Sequence, residues 1–499
     1  MQFTVLEYEE APPADLGGAF LTKDNWNDFG FVTTFVLEVR QEHGPLLHIG
    51  HVRIAHMDME TDDGFVRTSD RMPTSFTRLP EGYFSLAQED DYYEALRLLP
   101  PGTDGAILSA LHDVGYTEGL WRAVHELQVF KKSLRRGYTP HELDRVMSIA
   151  AGERARVVPF HLAYIPPANG LLEPPTFTFD AEPGSLPSTN LHALIGRNGV
   201  GKSYLLHDIA QQVMAGSIRV TDGPHAFRKP LSGCVVVSFS PFDQPYETAD
   251  DPGLPFDYVG LRHGDELRLK TDDELRDEFV RSFDAVRVGA RGIRWRKAVR
   301  TLSYAASGFL DSYEDAIENL MRASLGRVQS EMGPIFESLS SGHKVALLTV
   351  TRLVEVVAER TIVLIDEPET HLHPPLLAAL MRSVSDLLTD RNGMAIMATH
   401  SPVVLQEVPA SCVWKLHRNG AELTAHRPAL ETYGENIGEL THEVFGLEVT
   451  STGYHAAIAE LVEQGLSYEE IATRFTALGS EARGLLRAMT FVRAREHKD

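Results

Sequence analysis

An α/β fold with a mainly parallel, doubly wound sheet is what this sequence predicts, and three observations predict it. Gly196-Arg-Asn-Gly-Val-Gly-Lys-Ser203 sets a glycine loop between a mostly apolar run, Leu191 to Ile195, and a helix-period segment, Tyr204 to Val213. Cys234 to Phe239, Thr361 to Ile365 and Met394 to Ala398 are further apolar runs of strand length, separated by helical stretches. The Thr361 run closes on two adjacent carboxylates, Asp366 and Glu367.

The elements before the glycine loop read as a separate α+β domain, residues 1–165. Phe31 to Val39 and Leu46 to Ile54 have strand composition and flank a turn around His43-Gly44-Pro45. Tyr92 to Ile149 carries a helical pattern, and Arg156 to Tyr164 returns to strand type. Pro166-Pro167 and Pro174-Pro175 bracket a loop before Phe177-Thr-Phe179, which places the domain boundary there. Residues 166–430 form the nucleotide fold, with a charged, mostly helical insertion at about 250–335. Residues 431–499 form a helical tail, in which Ser467-Tyr-Glu-Glu470 fits a capping box opening a helix to Leu478.

Composition narrows the class. A chain of 499 residues with 43% hydrophobic content has ample length for several buried cores. No apolar run is long enough to span a membrane, and the start lacks a signal-peptide pattern. Two cysteines, Cys234 and Cys412, suit a reducing cytoplasm. A net charge of −23 argues against wrapping nucleic acid over the whole surface. Nucleic acid as a partner then depends on local patches. Arg287 to Arg300, with Arg291, Arg294, Arg296 and Lys297 around Trp295, is one; Lys131-Lys132-Ser-Leu-Arg135-Arg136 is another. Pairing of these helix faces with the abundant acids is the more economical reading.

The glycine loop has the spacing Gly-x-x-x-x-Gly-Lys-Ser, which cradles a nucleoside triphosphate. Gly196, Asn198, Gly199 and Gly201 let backbone N–H groups turn inward around phosphate, and the helix N-terminus adds partial positive charge. Lys202 reaches toward the β- and γ-phosphates and the Ser203 hydroxyl toward Mg²⁺. Asp366 belongs beside the same Mg²⁺, and Glu367 is placed to polarise an attacking water. His400, after the next strand, is placed to sense the γ-phosphate. Ser340, Ser341 and Gly342 open a helix beginning near Val345 and form a second anion-binding turn.

In order along the chain, the phosphate loop, Gln244, Leu-Ser-Ser-Gly-His, Ile-Asp-Glu-Pro and Thr-His-Ser-Pro resemble the motifs of ABC-type ATPase heads. The resemblance implies a P-loop ATPase using ATP and Mg²⁺, with Gln244, or Ser240 or Asp243 in its place, beside the metal. Ser341 and His343 replace the commoner glycine and glutamine of the family's signature segment. It further implies paired heads, so that Ser340, Ser341 and Gly342 of one copy close on the nucleotide of another. The run Glu-Pro-Glu-Thr-His-Leu-His-Pro374 is similar to the RecF, SMC and OLD branch, where His371 and His373 fit a dimer-facing loop better than a metal pair.

No long heptad segment and no nuclease metal motif accompanies the head. Ser238-Phe-Ser-Pro-Phe-Asp243 and Tyr433-Gly-Glu-Asn-Ile437 resemble ATPase subunits of Septu-type and related antiphage systems. That resemblance implies a cytoplasmic, homo-oligomeric sensor and scaffold controlling a separate nuclease or toxin effector. A RecF-like DNA-binding ATPase is the alternative, and the nucleotide subunit of a transporter a weaker one.

Overall fold

A computed structural model describes the chain except residues 9, 14, 42–43, 45, 62–63, 89, 137–142, 144–145, 148, 151–158, 168–172, 222–230, 242–245, 247–253, 264–267, 304–309, 322–324, 452 and 497–499. Gln244, Asp243, His43 and Pro45 therefore lie outside the described residues. The chain divides into two compact units, one of Met1–Val158 with Lys270–Val357, the other of Pro159–Leu269 with Ala358–Asp499. The charged helices after Lys270 thus share a unit with the N-terminal region, and the signature segment travels with them.

In the first unit a six-stranded sheet runs in the order Ser75–Phe76, Phe3–Leu6, Gly18–Lys23, Thr34–Arg40, Leu46–His56, Tyr83–Ala87. Its pairings are antiparallel except Phe3–Leu6 with Gly18–Lys23. Burial alternates along Thr34–Arg40, as expected of a strand with one covered face. The helices Asp272–Val286, Gly289–Leu302, Leu325–Ser338 and Ser341–Val356 follow. Thr271 and Glu274 close a reciprocal capping box on the first of these, satisfying N–H groups that would otherwise lack partners. Phe279 and Phe336 stack at 4.5 Å, and Trp295 donates its indole N–H to Thr351 at 2.9 Å. Large apolar side chains on facing helices, with the one polar tip satisfied, explain why these four helices pack together.

The second unit holds the sheet that positions the site. Its seven strands run in the order Phe256–Gly260, Gly233–Ser238, Thr361–Asp366, Met394–Thr399, Leu191–Gly196, Val413–Asn419, Glu422–His426. Only the last pairing is antiparallel. Leu191–Gly196, Gly233–Ser238 and Met394–Thr399 are buried throughout, as strands covered on both faces require. This is a doubly wound, mainly parallel α/β sheet. The region from about 250 to 335 is not wholly helical, since Phe256–Gly260 supplies an edge strand. A three-stranded antiparallel sheet of Phe177–Ala181, Phe160–Tyr164 and Arg219–Thr221 completes the α/β part. In the tail, Ser467 and Glu470 form the expected capping box, but the helix ends at Arg474, where Phe475 turns extended. Among the described residues no helix is long and apolar enough to cross a membrane.

Candidate active site

Register determines which strand ends meet. Ile195 lies opposite Thr399, and Asp366 opposite Ala398, so three carboxyl-terminal strand ends open on one edge of the sheet. That edge is where parallel α/β sheets bind ligands. From it the chain turns through exposed Arg197, Asn198 and Gly199 into the helix Lys202–Met214. Gly199 and Gly201 have φ of 79° and 104°, which L side chains rarely adopt. Gly196 is required for a different reason: a Cβ there would stand 2.6 Å from the Leu416 carbonyl oxygen on the neighbouring strand.

Lys202 is buried and folds back on the loop, donating to the carbonyls of Gly196 at 3.0 Å and Arg197 at 3.3 Å. Burial lowers its pKa, opposed by the nearby Glu367, Glu369 and Asp366 carboxylates. Ser203 donates to Asp366 Oδ1 at 3.1 Å. These two residues lie far apart in the chain, and an alcohol and a carboxylate oxygen in contact form the hard-oxygen donor pair that suits Mg²⁺.

Glu367 has a positive φ of 46°, an uncommon backbone for a non-glycine residue, and its N–H donates to the Ala398 carbonyl at 2.9 Å. The turn aims it at His400, whose Nδ1 is 3.8 Å from Glu367 Oε1. That Nδ1 is buried without a hydrogen-bond partner among the described residues. On its other side the ring meets Glu369, with Nε2 3.4 Å from Oε1.

Glu369 is the residue sequence reasoning passed over. It accepts the Thr399 hydroxyl at 3.0 and 2.9 Å and the His400 N–H at 2.8 Å, tying the turn after one strand to the end of the next. Its signal was the second glutamate in Asp-Glu-Pro-Glu. Arg418 was also missed; its Nε donates to the Val200 carbonyl at 2.9 Å and steadies the phosphate loop.

Other candidates find different places. Ser340 caps the helix Ser341–Val356, accepting from the His343 N–H at 3.4 Å, with Ser341 and Gly342 in its first turn. This segment belongs to the first unit, whereas the phosphate loop belongs to the second. His373 caps Pro374–Asp390, its Nδ1 accepting from Leu376 N–H at 3.1 Å, a structural duty rather than a metal one. The Arg287 to Arg300 patch lacks an exposed ring, because Trp295 is 1% exposed. Its cations face acids: Arg294 pairs with Asp91 and Glu94, and Arg291 with Asp91 at 3.0 Å.

Residues 334–406 match a family model described as "AAA domain, putative AbiEii toxin, Type IV TA system". Over 98% of both chains the sequence is 36% identical to Protein ea59 of Escherichia phage lambda, in an alignment of 519 residues. Among solved structures it is similar to an ATP-binding cassette of an ABC transporter in its ADP conformation, at 14% identity and a TM-score of 0.28, covering 58% of this chain and 98% of that one. It is also similar to cbiO1 of Clostridium perfringens, part of an ABC transporter complex, at 18% identity and a TM-score of 0.26, covering 51% and 83%.

Proposed function

Because the chain belongs to the family of Protein ea59 of Escherichia phage lambda and carries a complete phosphate loop, we propose that it binds and hydrolyses ATP with Mg²⁺. The observation that carries this reading is the 3.1 Å contact of Ser203 with Asp366, which joins the phosphate loop to the carboxylate strand. Ser203 and Asp366 would hold Mg²⁺, which supplies neutralisation of charge on the phosphate oxygens. Lys202 leaves the Gly196 and Arg197 carbonyls to meet the β- and γ-phosphates, exchanging neutral acceptors for anionic ones. Glu367 takes the proton of the attacking water, and the bare Nδ1 of His400 lies beside it to bind a γ-phosphate oxygen or that water.

The heads work in pairs in this reading, with Ser340, Ser341 and Gly342 of a second copy closing on the γ-phosphate. ATP then favours the closed pair, and hydrolysis releases it. The output is control of a separate nuclease or toxin effector in a cytoplasmic phage-defence setting. The toxin wording of the matched family model, and the phage origin of the similar protein, support a role in conflict between phage and host.

Glu367→Gln should bind ATP, lose hydrolysis by at least about 100-fold, and accumulate as pairs on native mass measurement. A variant that stays monomeric with ATP while Lys202→Ala abolishes binding would reject the pairing and leave the cradle intact. Parental turnover by Glu367→Gln would reject the base.

A further inference from the structure

The N-terminal unit carries a patch of exposed aromatic rings that its own fold does not use. Trp26, Phe29 and Phe65 are 59%, 68% and 62% exposed. They lie close together in the chain's geometry, because the Gly30 carbonyl accepts from Val66 N–H at 2.8 Å and Phe31 pairs with Val66 in parallel register.

The patch is held in shape from below. Asp28, 1% exposed, accepts the Trp26 indole N–H at 2.9 Å and the Ser133 hydroxyl at 3.2 Å, and it pairs with Arg136. Anchoring the indole by its polar edge leaves its bare face to solvent. Phe29 sits at a φ of 50°, a backbone costing about 1–3 kcal/mol for a bulky residue, and the turn points its ring outward. Strain spent to expose an apolar ring marks a contact surface.

Cations accompany the rings. The Arg136 guanidinium lies 4.8 Å from the Phe29 centroid, and that of Arg67 lies 5.2 Å from Phe65. Lys132 and Arg135, from the basic run singled out in the sequence, are exposed and lie just before Arg136 in the chain. Lys131 of that run is engaged by Glu126 at 2.6 Å. Exposed apolar rings bordered by the Arg67 and Arg136 guanidiniums complement a ligand offering both unpaired bases and phosphates. A duplex hides its base faces, and an apolar peptide leaves the cations unmatched.

We propose that the Trp26–Phe29–Phe65 face binds single-stranded nucleic acid, with bases stacked on the rings and phosphates on Arg67, Arg136, Lys132 and Arg135. This surface shares no residue with the ATP site, and it differs from the Arg287 to Arg300 helix, whose tryptophan is internal.

The test is fluorescence anisotropy of the full chain with a labelled oligothymidylate of about 20 nucleotides, oligouridylate of equal length, and the matching duplex, at about 50 and 200 mM salt. The single strands should bind more tightly than the duplex. Trp26→Ala and Phe29→Ala should each weaken single-strand binding by about 5- to 100-fold, with Trp26→Phe restoring most of it. Lys132→Glu with Arg135→Glu, on exposed positions away from Asp28, should flatten the salt dependence. Absence of single-strand binding by the parent overturns the proposal. So does equal duplex binding insensitive to the ring substitutions, which is bare electrostatics. Unchanged oligonucleotide binding by ring variants that lose self-association overturns it in favour of a protein contact.

Discussion

Removing the carboxyl group of Glu369 tests how the site is held together. In Glu369→Ala the fully buried Thr399 hydroxyl and the His400 N–H both lose an anionic acceptor. Each charge-assisted bond is worth about 1.5–3 kcal/mol net, but the Glu369 side chain is 15% exposed, so water replaces part of the loss. A cost of about 3 kcal/mol follows, which lowers Tm by about 6–12 °C for a unit of this size. His400 also loses the partner of its Nε2, so turnover should fall about 10- to 100-fold while ATP affinity changes less than about 3-fold, because Lys202 keeps Glu367 and Asp366 nearby and the loop keeps its hydrogen bonds. Glu369→Gln keeps an acceptor oxygen and should cost about 1 kcal/mol or less. Calorimetry and a phosphate-release assay on both variants give the answer. If Glu369→Ala melts and turns over like the parent, the carboxylate does not organise His400.

Further consequences can be measured in the same way. Gly196→Ala forces a Cβ against the Leu416 carbonyl, so it should cost about 1–3 kcal/mol and weaken nucleotide binding; a parental melting curve would contradict the close strand approach. Burial, with Arg427 adding to it, holds His192 down at about 3. The unfolded chain therefore takes up a proton below about pH 6.5 that the folded one refuses, and up to about 5 kcal/mol is lost as pH falls from 6.5 toward 3. His192→Leu should flatten that acid slope in urea titrations, and an unchanged slope would assign it elsewhere. Arg294→Ala removes the guanidinium paired with Asp91 and Glu94, so about 1–3 kcal/mol of stability should go while oligonucleotide binding stays parental.

The parallel sheet could be read because its strands are short, apolar and buried on both faces, and because a glycine loop with fixed spacing marks the strand it follows. Periodicity could not find Phe256–Gly260 or Val413–Asn419. Each has solvent-reaching positions among its buried ones, as Asp257 and His417 show, and so looks like the charged sequence around it. The helix expected to reach Leu478 ends at Arg474, where Phe475 turns extended, and neither glycine nor proline marks that end in the sequence. Asp366 and Ser203 could be named from motif chemistry, whereas their 3.1 Å contact needed the fold. Glu369 was hidden for a related reason: its partners, Thr399 and His400, come from the next strand, and only register makes them neighbours. The exposed rings of Trp26 and Phe29 carry no sequence signature, since an aromatic residue in a turn is ordinarily taken for core.

Calorimetric titration of the full chain with ATP and Mg²⁺, run beside Lys202→Ala, addresses the nucleotide site most directly. One ATP should bind per chain in the parent, with binding lost in Lys202→Ala while that variant still melts cooperatively without nucleotide. Equal ATP binding by both proteins, or none by either, would contradict the account.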